Sequence, residues 1–179
     1  MKKSNLDFEQ FEHFRNVVEG EWDFSPEWLK AKGMIVAILP LRYSQVDLNH
    51  IFNVLKIGGS TGGYSIETCY LDKEFDNSDP GSCFEFDFNQ VDINTICSDG
   101  PELDHIIISK NEELVVLCTL EEYWMIASSK KLIEMTLGKS LELVMADFDS
   151  YVTNNQWQES EQEYFNKLIN KYKMFNQGQ

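Results

Sequence analysis

Phe84-Glu85-Phe86-Asp87-Phe88 alternates an aromatic ring with a carboxylate. Successive side chains of a β-strand point to opposite faces, so this stretch sets its rings against a core and Glu85 and Asp87 on the other face. Upstream, Tyr64, Ile66, Thr68 and Tyr70 alternate with Ser65, Glu67, Cys69 and Leu71. Between the two runs lies Asp76-Asn77-Ser78-Asp79-Pro80-Gly81, a strong turn signal. The reading is a hairpin with a long connection. Downstream, Ile106-Ile107-Ile108, the turn Lys110-Asn111-Glu112-Glu113 and Leu114 to Thr119 predict a second hairpin, and Tyr123 to Ala127 one more strand.

Outside this block the period becomes helical. Phe8, Phe11, Phe14 and Val18 predict an amphipathic helix over 6–19, ended by Gly20. Ser25-Pro26-Glu27 reads as a cap with proline at the first helical position. Met34 to Leu39 reads as a buried strand stopped by Pro40, and Ser44 as the cap of a helix carrying Leu48, Ile51, Phe52 and Leu55. At the other end, Ser128 or Ser129 opens a helix through Leu137, stopped by Gly138. Ser140 opens the next, and Ser160-Glu161-Gln162-Glu163 starts the last. Strands between runs of helices predict one α+β domain over 1–179, its sheet mainly antiparallel, with N-terminal helices and a C-terminal helical cluster.

The 179 residues suit one domain, and 42% hydrophobic content with 13% aromatics suffices for a core. Thirty acidic against fifteen basic residues give a formal net charge of -15, which argues against direct binding to nucleic acid or to anionic lipid. No apolar run approaches the length of a membrane span, and no signal-peptide core follows Lys2-Lys3, so the expected setting is cytoplasmic. The charge is concentrated. Residues 67–122 hold fifteen carboxylates against Lys73 and Lys110 alone, while the rest of the chain is nearly balanced. Crowded like charges repel and cost stability, but they also speed capture of a basic partner. The plain alternative is a solvated surface that aids solubility.

Familiar catalytic patterns fail on inspection. Gly58-Gly59-Ser60-Thr61-Gly62-Gly63 is followed by Tyr64 rather than lysine and precedes a strand, so it reads as a loop and not as a phosphate cradle. Asp72, Glu74, Asp76 and Asp79 invite a calcium reading. Counted from Asp72, however, the glycine position of an EF-hand is Asn77 and its glutamate position is Cys83. Asp99, Glu102, Asp104 and His105 resemble an acid/base cluster, yet Ser98-Asp99-Gly100-Pro101 is also a plain turn. Cys69, Cys83, Cys97 and Cys118 form no C-x-x-C pair. Cys69 and Cys83 could meet across the hairpin, but reduced, partly buried thiols are the simpler reading. No catalytic residue, metal ligand or cofactor is expected. The tryptophans Trp22, Trp28, Trp124 and Trp157 read as packing residues, one or two of them candidate interface anchors.

An acidic antiparallel sheet, a helical end, the absence of a catalytic motif, and Glu121-Glu122-Tyr123-Trp124-Met125-Ile126-Ala127-Ser128 leading into the helix at Lys131-Leu132-Ile133 together resemble the immunity proteins of bacterial contact-dependent and polymorphic toxin systems. The resemblance lies in overall style and carries over no functional residue. It implies a non-enzymatic protein that binds one cognate toxin domain, often a basic nuclease, and blocks its active site or its access to substrate. The residues expected to supply the negative surface are Asp72, Glu74, Asp76, Asp79, Glu85, Asp87, Asp99, Glu102 and Asp104. A non-catalytic adaptor and a carboxylate-based metal-dependent enzyme are the competing readings. The oligomeric state is open.

Overall fold

The computed structural model describes residues 2–20, 22–40, 60–87, 104–119 and 123–178. The expected helix after Ser44, Phe88, Cys97, and the candidate residues Asp99 and Glu102 lie outside the described residues. Among the described residues the strands are β1 (Lys2–Asn5), β2 (Ile35–Pro40), β3 (Gly62–Glu67), β4 (Ser82–Asp87), β5 (His105–Ser109), β6 (Leu114–Cys118) and β7 (Tyr123–Ser128). They form one sheet in the order β1-β4-β3-β5-β6-β7-β2, with every pairing antiparallel. The helices are α1 (Phe8–Arg15), α2 (Pro26–Lys32), α3 (Thr68–Leu71), α4 (Lys130–Leu137), α5 (Leu141–Asn154) and α6 (Glu159–Gln177). The architecture is α+β, as the periodicity predicts.

Local chemistry explains the boundaries. Asp7 and Gln10 cap α1 reciprocally, the Gln10 N–H donating to Asp7 Oδ1 at 2.8 Å and the Asp7 N–H to Gln10 Oε1 at 3.2 Å. Ser25, Ser129 and Ser140 cap α2, α4 and α5 through their hydroxyls. Gly33 and Gly138 end α2 and α4 in the left-handed region. Helix α1 is shorter than its apolar pattern. After Arg15 the chain turns into a clip closed by a bridge between Val18 and Phe24. The alternating run from Tyr64 also stops early. It pairs through Glu67, and Thr68–Leu71 then coils into α3, held because Asp104 O accepts from Thr68 N at 2.9 Å and from Thr68 Oγ1 at 3.1 Å. Pro40 ends β2 from within the strand: it is the last strand residue, on a sheet edge where a missing N–H is tolerated.

Strands β2, β5 and β6 are buried on both faces, the edge strand β2 included, which is why they read as continuous apolar runs instead of alternating ones. Register puts Tyr64, Glu85, Ile108, Val115, Met125 and Val36 on one face. Phe14 of α1 meets Tyr64 there with ring centroids 5.6 Å apart, while Tyr123 meets Phe148 of α5 and Phe165 of α6 at 6.3 and 6.0 Å. The edges are guarded. At β2 the Asn176 amide acts like a further strand, accepting from Val36 N at 3.0 Å and donating to Val36 O at 2.7 Å. At β1 two lysines occupy the edge, a common defence against strand addition. Gly62 has no room for a side chain, since a Cβ there would lie 2.1 Å from the Phe86 carbonyl oxygen. Its glycine serves strand packing in the middle of the sheet.

Candidate functional site

The hairpin register sorts the expected acidic residues into separate places. Strand β3 runs from Gly62 to Glu67, the chain crosses through 68–81, and β4 returns with Cys83 opposite Ile66 and Asp87 opposite Gly62. Asp72, Glu74, Asp76 and Asp79 therefore sit together at one end of the sheet, all exposed. Asp104 is at that same end, because His105 beside it pairs with Glu67. Asp87 is at the opposite end, roughly 17 Å along β4 at the usual rise per strand residue.

Glu85 and Asp87 do lie opposite Phe84 and Phe86, but they do not form a bare negative face. Lys110 Nζ stands 2.7 Å from Glu85 and 3.5 Å from Asp87, and Lys2 is the β1 neighbour of Glu85. The Lys110 hydrogen bond holds the Glu85 carboxyl below its ordinary value, and Glu85 in turn holds the Lys110 ammonium above its own. Cys83 shares their face and is buried, with its thiol pushed up to about 12 by burial and then by Glu85. Such a thiol is a poor nucleophile at neutral pH. Cys69, Cys83 and Cys118 form no disulfide with one another, and Cys69 lies in α3, past the end of the ladder that was expected to bring it to Cys83.

The acidic end is different in character. Glu74, Asp76, Asp79 and Lys73 rim a notch of about 170 Å³ whose wall includes Phe11, Tyr70 and Phe75. Phe75 is fixed between Phe8 and Phe11, at 5.5 and 5.2 Å between ring centroids. Gly81 closes the loop with φ of 76°, and a Cβ there would meet the Tyr70 ring at 2.8 Å. Ser78 donates its backbone N–H and its hydroxyl to Asp76 Oδ1, both at 2.8 Å, and these bonds hold that carboxyl below its ordinary range. The field is felt by the neighbouring phenol. Asp79 first, and then Glu67, hold the Tyr70 hydroxyl above its ordinary value.

A polar network that sequence reasoning missed braces this end. Asp23, in the clip between α1 and α2, accepts from the Tyr172 hydroxyl through Oδ1 and from Lys171 Nζ at 2.6 Å through Oδ2, while Lys171 also reaches Glu19 at 3.3 Å. Burial lowers the Lys171 pKa, but Asp23 and then Glu19 outweigh it and leave it raised. Trp22, beside Asp23, donates its indole Nε1–H to Asp104 Oδ2 at 2.6 Å, and its carbonyl accepts from the buried Tyr123 hydroxyl at 3.2 Å. The same Tyr123 oxygen lies 2.5 Å from the Tyr164 hydroxyl. With the Tyr123 proton given to Trp22 O, Tyr164 is the donor between the two phenols. Asp23 and Lys171 are 148 residues apart and Trp22 and Asp104 are 82 apart, so no local pattern announces them.

A second cavity, of about 610 Å³, lies between the start of β2, α4, α5 and the end of α6. Its apolar wall includes Ile35, Leu141 and Met145, and it also contains the Lys130–Glu142 pair at 2.7 Å and the Lys173–Asp149 pair at 3.0 Å. The Lys130 hydrogen bond, then backbone and Ser140 bonds, bring the Glu142 carboxyl down to about 2 from an ordinary 4.5. A depressed carboxyl contributes stability that is complete above its unfolded value and is lost as pH falls through its folded one. For Glu142 that window runs from 4.5 down to about 2. Lys130→Ala is expected to return the midpoint towards 4.5, read from the Glu142 side-chain carboxyl carbon shift during an acid titration.

Among the described residues, no group of three or more His, Cys, Asp or Glu side chains is arranged to hold a metal ion, and no helix is long and apolar enough to cross a membrane. Compared with family models, curated proteins and solved structures, the chain matches none.

Proposed function

We propose that this chain is an immunity-type protein that binds and neutralises a cognate, basic toxin domain, presenting the acidic end of its sheet to that partner. The observation that carries the reading is the exposed group of Asp72, Glu74, Asp76 and Asp79 on a connection tied down by Gly81, Phe75 and Ser78. Fixed like charges raise the electrostatic energy of the fold, and the same field steers a cationic surface into contact. A nuclease domain needs such a cationic surface to hold phosphates, and a protein that fills it competes directly with substrate. The aromatic-walled notch adds apolar area beside the charges, where the stem of a lysine or arginine can lie while its head meets Glu74, Asp76 or Asp79.

Co-expression tests the reading. The probe is the C-terminal domain encoded by the reading frame immediately upstream of the gene for this chain. Cells expressing that domain alone are expected to die, and cells expressing both are expected to survive. A domain that is harmless, or that kills in the presence of this chain, overturns the proposal.

A further inference from the structure

Trp22 is 44% exposed, and it is held at both its side chain and its backbone. The indole N–H is tied to Asp104 and the carbonyl to Tyr123, whose hydroxyl also holds Tyr164, itself 37% exposed. Among the described residues, the other large exposed apolar side chains, Phe8, Met135, Leu143 and Met174, have no N–H or O–H donor to anchor them in this way. An indole with a fixed plane loses little rotamer freedom on being covered, and tryptophan is among the residue types that dominate protein interfaces. Asp104 beside the ring lies at the acidic end of the sheet, with Glu67 across the ladder from the neighbouring His105. A carboxylate offers about four acceptor sites, so it can hold the indole and meet a guanidinium as well.

We infer that the Trp22–Asp104 corner seats an arginine side chain of a basic protein partner, the guanidinium stacking on the indole face and pairing with the Asp104 carboxylate. The inference rests on the reading that the partner is basic. It adds an anchor on the clip to the acidic connection at the same end. Arginine suits the corner better than lysine, because its planar cation stacks on a ring and keeps its donors in the plane.

The four tryptophans give the ¹⁵N-labelled full-length chain four indole cross-peaks, and the Trp22 peak is the one absent from Trp22→Phe. Hexa-arginine is expected to shift the Trp22 peak saturably and to bind more tightly than hexa-lysine. Trp22→Ala and Asp104→Asn are each expected to weaken hexa-arginine binding about fivefold, the scale of one exposed cation–π contact. Both variants are also to be compared with the parent by thermal melting, so that a loss of fold is not read as a loss of binding. The inference is overturned if amides of residues 72–79 shift while the Trp22 indole stays still. It is overturned equally if the indole peak moves on concentrating the protein without peptide, because a second copy would then be covering the corner. This readout is independent of cell killing, so a failed co-expression removes the toxin and leaves the arginine seat standing. Survival of co-expressing cells with undiminished protection by Trp22→Ala removes the seat and leaves the toxin reading intact.

Discussion

Neutralising the acidic connection with Glu74→Gln, Asp76→Asn and Asp79→Asn together slows association with the basic partner by about ten- to a hundredfold at low salt. The expected change is in the on-rate, because long-range attraction acts before contact. The difference between parent and variant should shrink as ionic strength rises and the screening length falls below roughly 10 Å. Stability should hold, since the three side chains are exposed and lie among like charges. Asp76 is the exception to watch, because its bonds to Ser78 shape the loop. Asn in its place can still accept them through its side-chain carbonyl oxygen. The paired substitution Glu85→Gln and Asp87→Asn makes the comparison. Lys110 already offsets those carboxylates, so their removal should alter the on-rate much less. Stopped-flow mixing at several salt concentrations reads both variants. Equal slowing by the two sets would mean that the whole strand region, and not its acidic end, steers the partner.

Asp23→Ala is expected to cost about 3 kcal/mol, because it strands a buried phenol and a half-buried ammonium together. Tyr172 is 1% exposed and donates its hydroxyl to Asp23, and among the described residues Glu19 is the carboxylate left to pair with Lys171 once Asp23 is gone. For a domain of this size that loss lowers Tm by about 8 °C. Asp23→Asn should cost less. It keeps an acceptor for the phenol and gives up only the charge that Lys171 meets. The clip also carries Trp22, so the alanine variant should broaden or shift the Trp22 indole peak while leaving Trp157, between α5 and α6, in place. Thermal melts with the indole spectrum separate the effects. A Tm change under about 2 °C would mean that water or Glu19 replaces Asp23 without penalty.

The fold was legible where local chemistry and packing agree. Phe84 and Phe86 alternate with Glu85 and Asp87, Ser129, Ser140 and Gly138 mark helix ends, and each sits where its pattern predicts. Legibility failed where a distant partner overrides the local period. The run from Tyr64 to Leu71 alternates throughout, yet the ladder ends at Glu67, because the Asp104 carbonyl captures both donors of Thr68 and starts a helical turn. Lys2–Asn5 carries no strand signal and pairs all the same, since the open edge of β4 supplies hydrogen-bond partners to whatever chain is laid beside it.

The candidate site divides along the same line. The sequence alone determined that carboxylates crowd into the sheet region and that Glu85 and Asp87 oppose the phenylalanines, because charge and period 2 are properties of neighbouring residues. Only the tertiary structure decided that Lys110 answers Glu85 and Asp87, that Asp104 joins Asp72 to Asp79 at one end, and that Asp23 and Trp22 are fastened to Tyr172, Lys171 and Asp104. Those contacts join segments far apart in the chain. Burial of the core selects them by fixing register and helix position, and only then are the polar groups brought within bonding distance.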